Sequence, residues 1–153
     1  MVVKATERLL KVQVKDIVVS SSSSNTTNNI SNSKGILLVD DEADVISLFK
    51  MVLEMNGFEV DAYTDPAAAL SNFKPNLYDL ALLDIRMESI NGFELYKKMK
   101  NIDGSLKACF ITAFEDYREE FKESFPMLDE AKYFIRKPKA IEDLVNHVAT
   151  ILG

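Results

Sequence analysis

Five polar side chains in this sequence have types and positions suited to phosphate chemistry. They are Asp40, Asp41, Asp84, Thr112 and Lys137, and each lies at or just past the end of a short apolar run. A core pattern of period 2 or 3.6 explains none of them. Three carboxylates held together repel strongly, because two unit charges ~4 Å apart interact by about 4 kcal/mol at an effective dielectric near 20. Such a cluster requires a cation, and an all-oxygen ligand set suits Mg²⁺ better than zinc.

The same side chains could transfer a phosphoryl group. A carboxylate can attack phosphorus and form an aspartyl phosphate. A metal would neutralise the incoming phosphoryl oxygens, while Lys137 supplies a positive charge and Thr112 a hydroxyl donor. If the five side chains converge, the sequence predicts a phosphoryl-transfer site.

The hydrophobic pattern indicates the elements that must bring these residues together. Predicted strands cover residues 36–39, 58–63, 78–83, 108–112 and 133–135. Between them the sequence predicts helices near 42–56, 66–74 and 93–101, a charged amphipathic helix that stops by Pro126, and a last helix over 141–152. Strict alternation predicts an α/β fold, a doubly wound five-stranded parallel sheet with five helices. Functional groups in such sheets gather beyond the carboxyl ends of the strands.

Composition excludes several other classes of protein. The chain has 153 residues, 47% of them hydrophobic, which suits one domain of ordinary size. Cys109 and His147 are the only residues of their types, so an internal disulfide or a zinc cluster is excluded. The sequence has neither a membrane-length apolar run nor a signal-peptide core, which predicts a cytoplasmic protein. The net charge of -6 argues against a nucleic-acid partner.

The charge and polarity divide the chain into three segments. Residues 1–33 carry a net charge of +2, and the other 120 residues therefore carry -8. Residues 20–33 read SSSSSNTTNNISNS, which predicts a flexible linker. Residues 1–19 have a mixed pattern that favours a loosely ordered extension, although a docking segment stays possible. Residues 34–153 form the predicted domain.

Five motifs in this order make residues 34–153 resemble a known family, the receiver domains of two-component response regulators. They are ILLVDDE at 36–42, LLDIRM at 82–87, Asn91-Gly92, ITA at 111–113 and Lys137-Pro138. The resemblance implies a flavodoxin-like fold with strand order 2-1-3-4-5. It also implies that Asp84 is the phosphoacceptor.

A role for each remaining site residue follows from the same resemblance. Asp41, Asp84 and the backbone carbonyl of Arg86 would bind Mg²⁺, with Asp40 acting through water. Lys137 would pair with Asp84 or its phosphate, and Pro138 would follow a cis peptide bond. The three residues that would respond to the phosphoryl group are Thr112, as its hydrogen-bond donor, Ala113, which leaves room for it, and Phe134, the aromatic switch residue.

By resemblance, the protein is a phosphorylation-dependent switch rather than a conventional enzyme, because it would catalyse only its own phosphorylation and dephosphorylation. A sensor histidine kinase or a phosphotransfer protein would supply the phosphoryl group. Output would pass to a downstream protein through the face formed by helix 4, strand 5 and helix 5, or onward in a phosphorelay. Glu88 stands where the family often has Pro, which predicts a less rigid loop after Asp84. Glu130 stands where the family often has Gly, and the stretch between Thr112 and Lys137 is slightly longer than usual, so the output surface is expected to diverge.

Two alternatives remain at this point. A Mg²⁺-dependent phosphatase that forms an aspartyl phosphate has its nucleophilic Asp at the end of the first strand and a second Asp two residues later. Here that strand ends in Asp40-Asp41-Glu42, which does not fit this spacing. A pseudo-receiver that binds its partner constitutively is the other alternative, and retention of the five polar residues argues against it.

Overall fold

The computed structural model describes residues 33–113, 117–128, 133–137 and 140–153. Strands and helices alternate along this part of the chain: β1 (Gly35–Val39), α1 (Ala43–Met55), β2 (Glu59–Tyr63), α2 (Pro66–Ser71), β3 (Leu80–Asp84), α3 (Gly92–Ile102), β4 (Lys107–Thr112), α4 (Arg118–Ser124), β5 (Phe134–Arg136) and α5 (Ala140–Leu152). All strand pairs are parallel, in the order β2-β1-β3-β4-β5. The predicted fold and strand order are confirmed. The extension and nearly all of the predicted linker lie outside the described residues.

Strand β3 lies between two apolar layers, because successive side chains point to opposite faces of a sheet. Ala81 and Leu83 belong to the layer covered by α2, α3 and α4, and Leu80 and Leu82 to the layer covered by α1 and α5. All four side chains are fully buried. Burial on both faces explains why β1 and β3 are continuous apolar runs rather than alternating ones.

Side-chain caps determine where two helices begin. The Asp65 carboxylate accepts a hydrogen bond of 3.0 Å from the Ala67 N–H, and Pro66 occupies the first turn, as predicted for this pair. Asn91 Oδ1 accepts a hydrogen bond of 2.9 Å from the Glu94 N–H. This cap starts α3 at Gly92, one residue before the predicted start.

Most predicted boundaries differ from the observed ones by one to three residues, and two of these differences have a local cause. Helix α2 ends at Ser71 instead of Lys74, because the Asn72 side chain donates a hydrogen bond of 2.8 Å to the Ala68 carbonyl. Strand β5 starts at Phe134 and ends at Arg136, one residue later than predicted, because these are the residues that pair with β4. Among the helices of the described residues, none combines the length and apolarity that a membrane span requires.

An aromatic cluster fills the space between α3, α4 and the sheet. Its members are Phe93, Tyr96, Phe110, Phe121, Phe125 and Phe134. Phe121 is fully buried although α4 is otherwise charged. Its ring centroid lies 5.9 Å from that of Phe110 on β4 and 5.6 Å from that of Phe134 on β5. The cluster therefore attaches α4 to β4, which ends at Thr112, and to β5, which ends just before Lys137.

Candidate functional site

Three carboxylates meet at the carboxyl edge of the sheet. Asp40 and Asp41 directly follow β1, and Asp84 is the last residue of the neighbouring strand β3. One oxygen atom of each lies within 4.8 Å of the others. Asp40 and Asp84 are buried, while Asp41 is exposed. The convergence follows from the topology, because adjacent parallel strands end at the same edge.

Lys137 lies among these carboxylates, just past β5. Its Nζ is 2.7 Å from Asp40 Oδ2, 3.8 Å from Asp84 Oδ1 and 3.7 Å from Glu42 Oε1. The structure thus pairs the ammonium group with Asp40 more closely than with Asp84. Burial alone would lower the pKa of Lys137, but the neighbouring carboxylates outweigh it and raise this pKa, so the side chain is charged.

The pKa of the Asp84 carboxyl group is shifted far above its ordinary value. Burial is the main cause that raises its pKa to about 7, and the negative charge of Asp40 adds to the effect. The nearby Lys137 acts in the opposite direction and offsets only part of it. A carboxyl group near its titration point at neutral pH is a common feature of functional sites, because burial and like charges are arranged there together.

A cavity of about 240 Å³ opens beside Asp84. Asp41, Asp84 and Lys137 line it together with Ala113 at the end of β4. The residues that complete its wall follow β1 and β3: Glu42, Arg86, Met87 and Glu88. The space is suited to a phosphoryl group with a hydrated cation, and it faces solvent at its mouth.

The other predicted site residues have different surroundings. Thr112 is fully buried, and its backbone carbonyl accepts a hydrogen bond of 2.8 Å from the Lys137 N–H. This bond links the ends of β4 and β5. Phe134 is buried and belongs to the aromatic cluster. Pro138, for which a cis peptide bond was predicted, lies outside the described residues.

Sequence reasoning recognised the Asn91-Gly92 pair but gave Gly92 no role at the site. The first residue of α3 packs directly on the backbone at the end of β3, where its N–H donates a hydrogen bond of 2.9 Å to the Ile85 carbonyl. A Cβ atom at this position would lie far inside van der Waals contact with the Asp84 carbonyl oxygen, and 3.1 Å from Ile85 Cα. Glycine is therefore required by close backbone approach.

The donor set fits a hard divalent cation. The clustered ligand atoms are all carboxylate oxygens, two of the three groups are buried, and one ammonium group is shared among them. After burial, the negative charge of Asp40 is the next largest cause of the raised pKa of Asp84, and a bound cation would offset it. Mg²⁺ prefers oxygen ligands and commonly uses only one or two carboxylates, keeping several waters.

Comparison with known proteins places these residues in a wider context. A family model described as "Response regulator receiver domain" matches residues 36–149. The chain is 32% identical over 119 residues to the response regulator receiver protein CpdR of Brucella abortus, covering 78% of this chain and 97% of CpdR. It is 29% identical over 117 residues to the transcriptional regulatory protein RprY of Bacteroides fragilis, covering 76% of this chain. The match spans only 48% of RprY, so this chain corresponds to about half of that relative.

Solved structures agree with these sequence matches. The response regulator protein TrrA of Thermotoga maritima, crystallised in complex with Mg²⁺-BeF, superimposes with a TM-score of 0.64 at 30% identity. The superposition covers 77% of this chain and 98% of TrrA. The likeness therefore extends over nearly all of the described residues.

Proposed function

The chain belongs to the response regulator receiver domain family, a family of phosphoacceptor signalling modules, and from this premise we propose that it is a cytoplasmic switch phosphorylated on Asp84. The donor is a phosphohistidine of a sensor kinase or of a phosphotransfer protein. The observation that carries the proposal is the meeting of Asp40, Asp41 and Asp84 beside an open cavity, with the Lys137 ammonium close to Asp40 and Asp84. Output passes to a protein partner through the face of α4, β5 and α5, or onward in a phosphorelay.

Asp41, Asp84 and the backbone carbonyl of Arg86 would hold Mg²⁺, with Asp40 acting through water. When bound, the ion neutralises phosphoryl charge as the group is transferred. Asp41 and Arg86 line the same cavity as Asp84, which supports this assignment. Asp40 is held at one oxygen by Lys137 and at the other by the Glu42 N–H at 2.9 Å, so it is a fixed second-layer carboxylate.

In the proposed reaction an Asp84 oxygen forms a bond to phosphorus while the P–N bond of the donor histidine breaks. The electron pair of that bond goes to the leaving nitrogen, and the imidazole departs neutral because its other ring nitrogen carries a proton. Lys137 lies 3.8 Å from Asp84 and is positioned to compensate charge on the new phosphoryl oxygens. Ala113 at the cavity wall leaves room for them.

The proposed response to phosphorylation runs through β4 and β5. Thr112 would donate a hydrogen bond to a phosphoryl oxygen, which requires this buried side chain to turn toward the cavity. Phe134 would then repack against Phe121, its neighbour in the aromatic cluster. Because Phe134 has no hydroxyl group, packing alone would drive this change, and the phosphate would stabilise the conformation that binds the partner.

Intact-mass analysis tests the proposal directly. The wild-type chain, incubated with Mg²⁺ and a small phosphodonor, is expected to gain the mass of one phosphoryl group, whereas Asp84→Asn is expected to gain none. Asp44→Asn is a matched control, because Asp44 is an exposed residue in the first turn of α1. An unmodified wild-type chain would indicate a pseudo-receiver, and continuous donor turnover that depends on Asp40 and persists in Asp84→Asn would indicate a phosphatase.

A second prediction concerns the competition between Lys137 and the metal. Lys137→Met is expected to bind Mg²⁺ about tenfold more tightly, because the ammonium group repels the cation at short range and shares the same carboxylates. Isothermal titration calorimetry measures this affinity. Lys98→Met is the control, because it removes one positive charge from an exposed position on α3. Equal or weaker binding by Lys137→Met would contradict the prediction.

A further inference from the structure

Two glutamates lie at the mouth of the cavity and have no part in the proposed phosphoryl transfer. After β3, buried and exposed side chains alternate along the chain. Ile85 and Met87 are buried in the core, while Arg86 and Glu88 are exposed. The buried Met87 anchors this loop, and both Arg86 and Glu88 line the cavity. Glu88 is therefore held at the rim by the packing of its neighbour.

Glu42 is fixed at the same rim by a different element. It is the N-cap residue of α1, where its N–H donates a hydrogen bond to Asp40 and its carbonyl accepts one of 3.1 Å from Ile46. Its side chain is 65% exposed, and its Oε1 lies 3.7 Å from Lys137 Nζ. The side chain thus faces both solvent and the ammonium group on which an incoming phosphoryl group depends.

The geometry of phosphoryl transfer places the leaving group near these two residues. The attacking and leaving atoms lie roughly in line on opposite sides of phosphorus. Because the Asp84 oxygen attacks from the buried side, the leaving group points toward the mouth of the cavity. Glu42 and Glu88 add two negative charges there, while Arg86 and Lys137 are the positively charged residues that line the cavity.

We propose that Glu42 and Glu88 are specificity-determining residues that favour donors with a positively charged leaving nitrogen over donors with an anionic leaving oxygen. A protonated phosphohistidine carries positive charge on its leaving ring until the P–N bond breaks. In acetyl phosphate the P–O bond breaks, its electron pair stays on oxygen, and acetate leaves as an anion. The rim repels that developing charge, so the site selects a histidine-bound phosphoryl group over small acyl phosphates. This inference rests on the proposed function of Asp84.

The test compares two small donors that differ in the leaving atom. Acetyl phosphate releases acetate, whereas phosphoramidate carries a protonated nitrogen and releases ammonia. Initial rates of phosphorylation are measured by intact mass at saturating Mg²⁺. Glu42→Gln and Glu88→Gln are each expected to raise the acetyl phosphate rate about two- to threefold, and to leave the phosphoramidate rate unchanged or lower. The ratio of the two rates should change about fivefold in the double variant and less at high salt.

Glu59→Gln is the matched control, because it removes an exposed carboxylate at the start of β2, the opposite end of the sheet. Glu88→Lys is expected to change the ratio more than Glu88→Gln does, which provides a second measure. If the wild-type chain is phosphorylated and the ratio in the rim variants equals that in Glu59→Gln, the specificity inference is overturned and the proposed function stands. If neither donor modifies the wild-type chain, the proposed function itself fails.

Discussion

Without divalent cations at pH 8, the Asp84→Asn variant is expected to be more stable than the wild-type chain, by about 1–3 kcal/mol in the free energy of unfolding. Asp84 is buried beside Asp40, and its pKa is raised from 3.8 to about 7. Ionisation of this group therefore costs more free energy in the folded chain than in the unfolded chain, where the carboxylate is solvated. Asparagine keeps nearly the same shape and removes the charge.

The sign of the pH dependence follows from the direction of the shift. Between about pH 4 and pH 7 the folded chain holds a proton on Asp84 that the unfolded chain has released. The contribution of Asp84 therefore lowers the free energy of unfolding of the wild-type chain as pH rises through this window. The advantage of Asp84→Asn should be small near pH 4 and reach its full size above pH 7.

Urea unfolding at a series of pH values, with and without Mg²⁺, measures this difference. Asp44→Asn serves as the control, because its carboxylate is exposed and its removal should change the free energy of unfolding by only a few tenths of a kcal/mol. Mg²⁺ should stabilise the wild-type chain more than Asp84→Asn, since only the former retains this ligand. A variant that is less stable than wild type at pH 8 without metal would show that Asp84 is not electrostatically strained.

The positions of the acidic residues could be predicted because they depend on topology alone. Continuous apolar runs identified β1 and β3 as strands buried on both faces, and the polar residues that end them had to share one edge. To predict that Asp40, Asp41 and Asp84 converge, only the order of the strands and helices was therefore needed. Their convergence does not depend on side-chain rotamers or on the length of any loop.

Features that depend on packing could not be predicted in the same way. The preference of Lys137 for Asp40 over Asp84 reflects a difference of about 1 Å between two ion pairs, which no sequence pattern specifies. The charged amphipathic pattern of α4 predicted a core-facing side, but it did not specify that Phe121 packs against Phe110 and Phe134. The sequence identified Gly92 only as part of the Asn91-Gly92 pair. Glycine is required at this position because its backbone packs against the end of β3, eight residues earlier in the chain.

Gly92→Ala is expected to reduce both stability and phosphorylation. The added methyl group would overlap the Asp84 carbonyl oxygen, which belongs to the backbone of the acceptor strand and cannot rotate away. Either α3 or the end of β3 must shift, which we expect to cost about 2–4 kcal/mol of unfolding free energy. Because a misplacement of the reacting group by about 1 Å can cost on the order of 100-fold in rate, phosphorylation should slow at least tenfold.

The experiment separates a local clash from a general effect of alanine. An added Cβ at Gly104, in the turn before β4, would contact no atom within 4 Å beyond its chain neighbours. Gly104→Ala should therefore leave the free energy of unfolding and the phosphorylation rate nearly unchanged. Urea unfolding gives the stability, and intact mass with phosphoramidate gives the rate under conditions where both variants are folded. A Gly92→Ala chain that matches Gly104→Ala would show that the start of α3 does not constrain the acceptor. A chain that is destabilised but phosphorylated at the wild-type rate would show that α3, and not Asp84, absorbs the displacement.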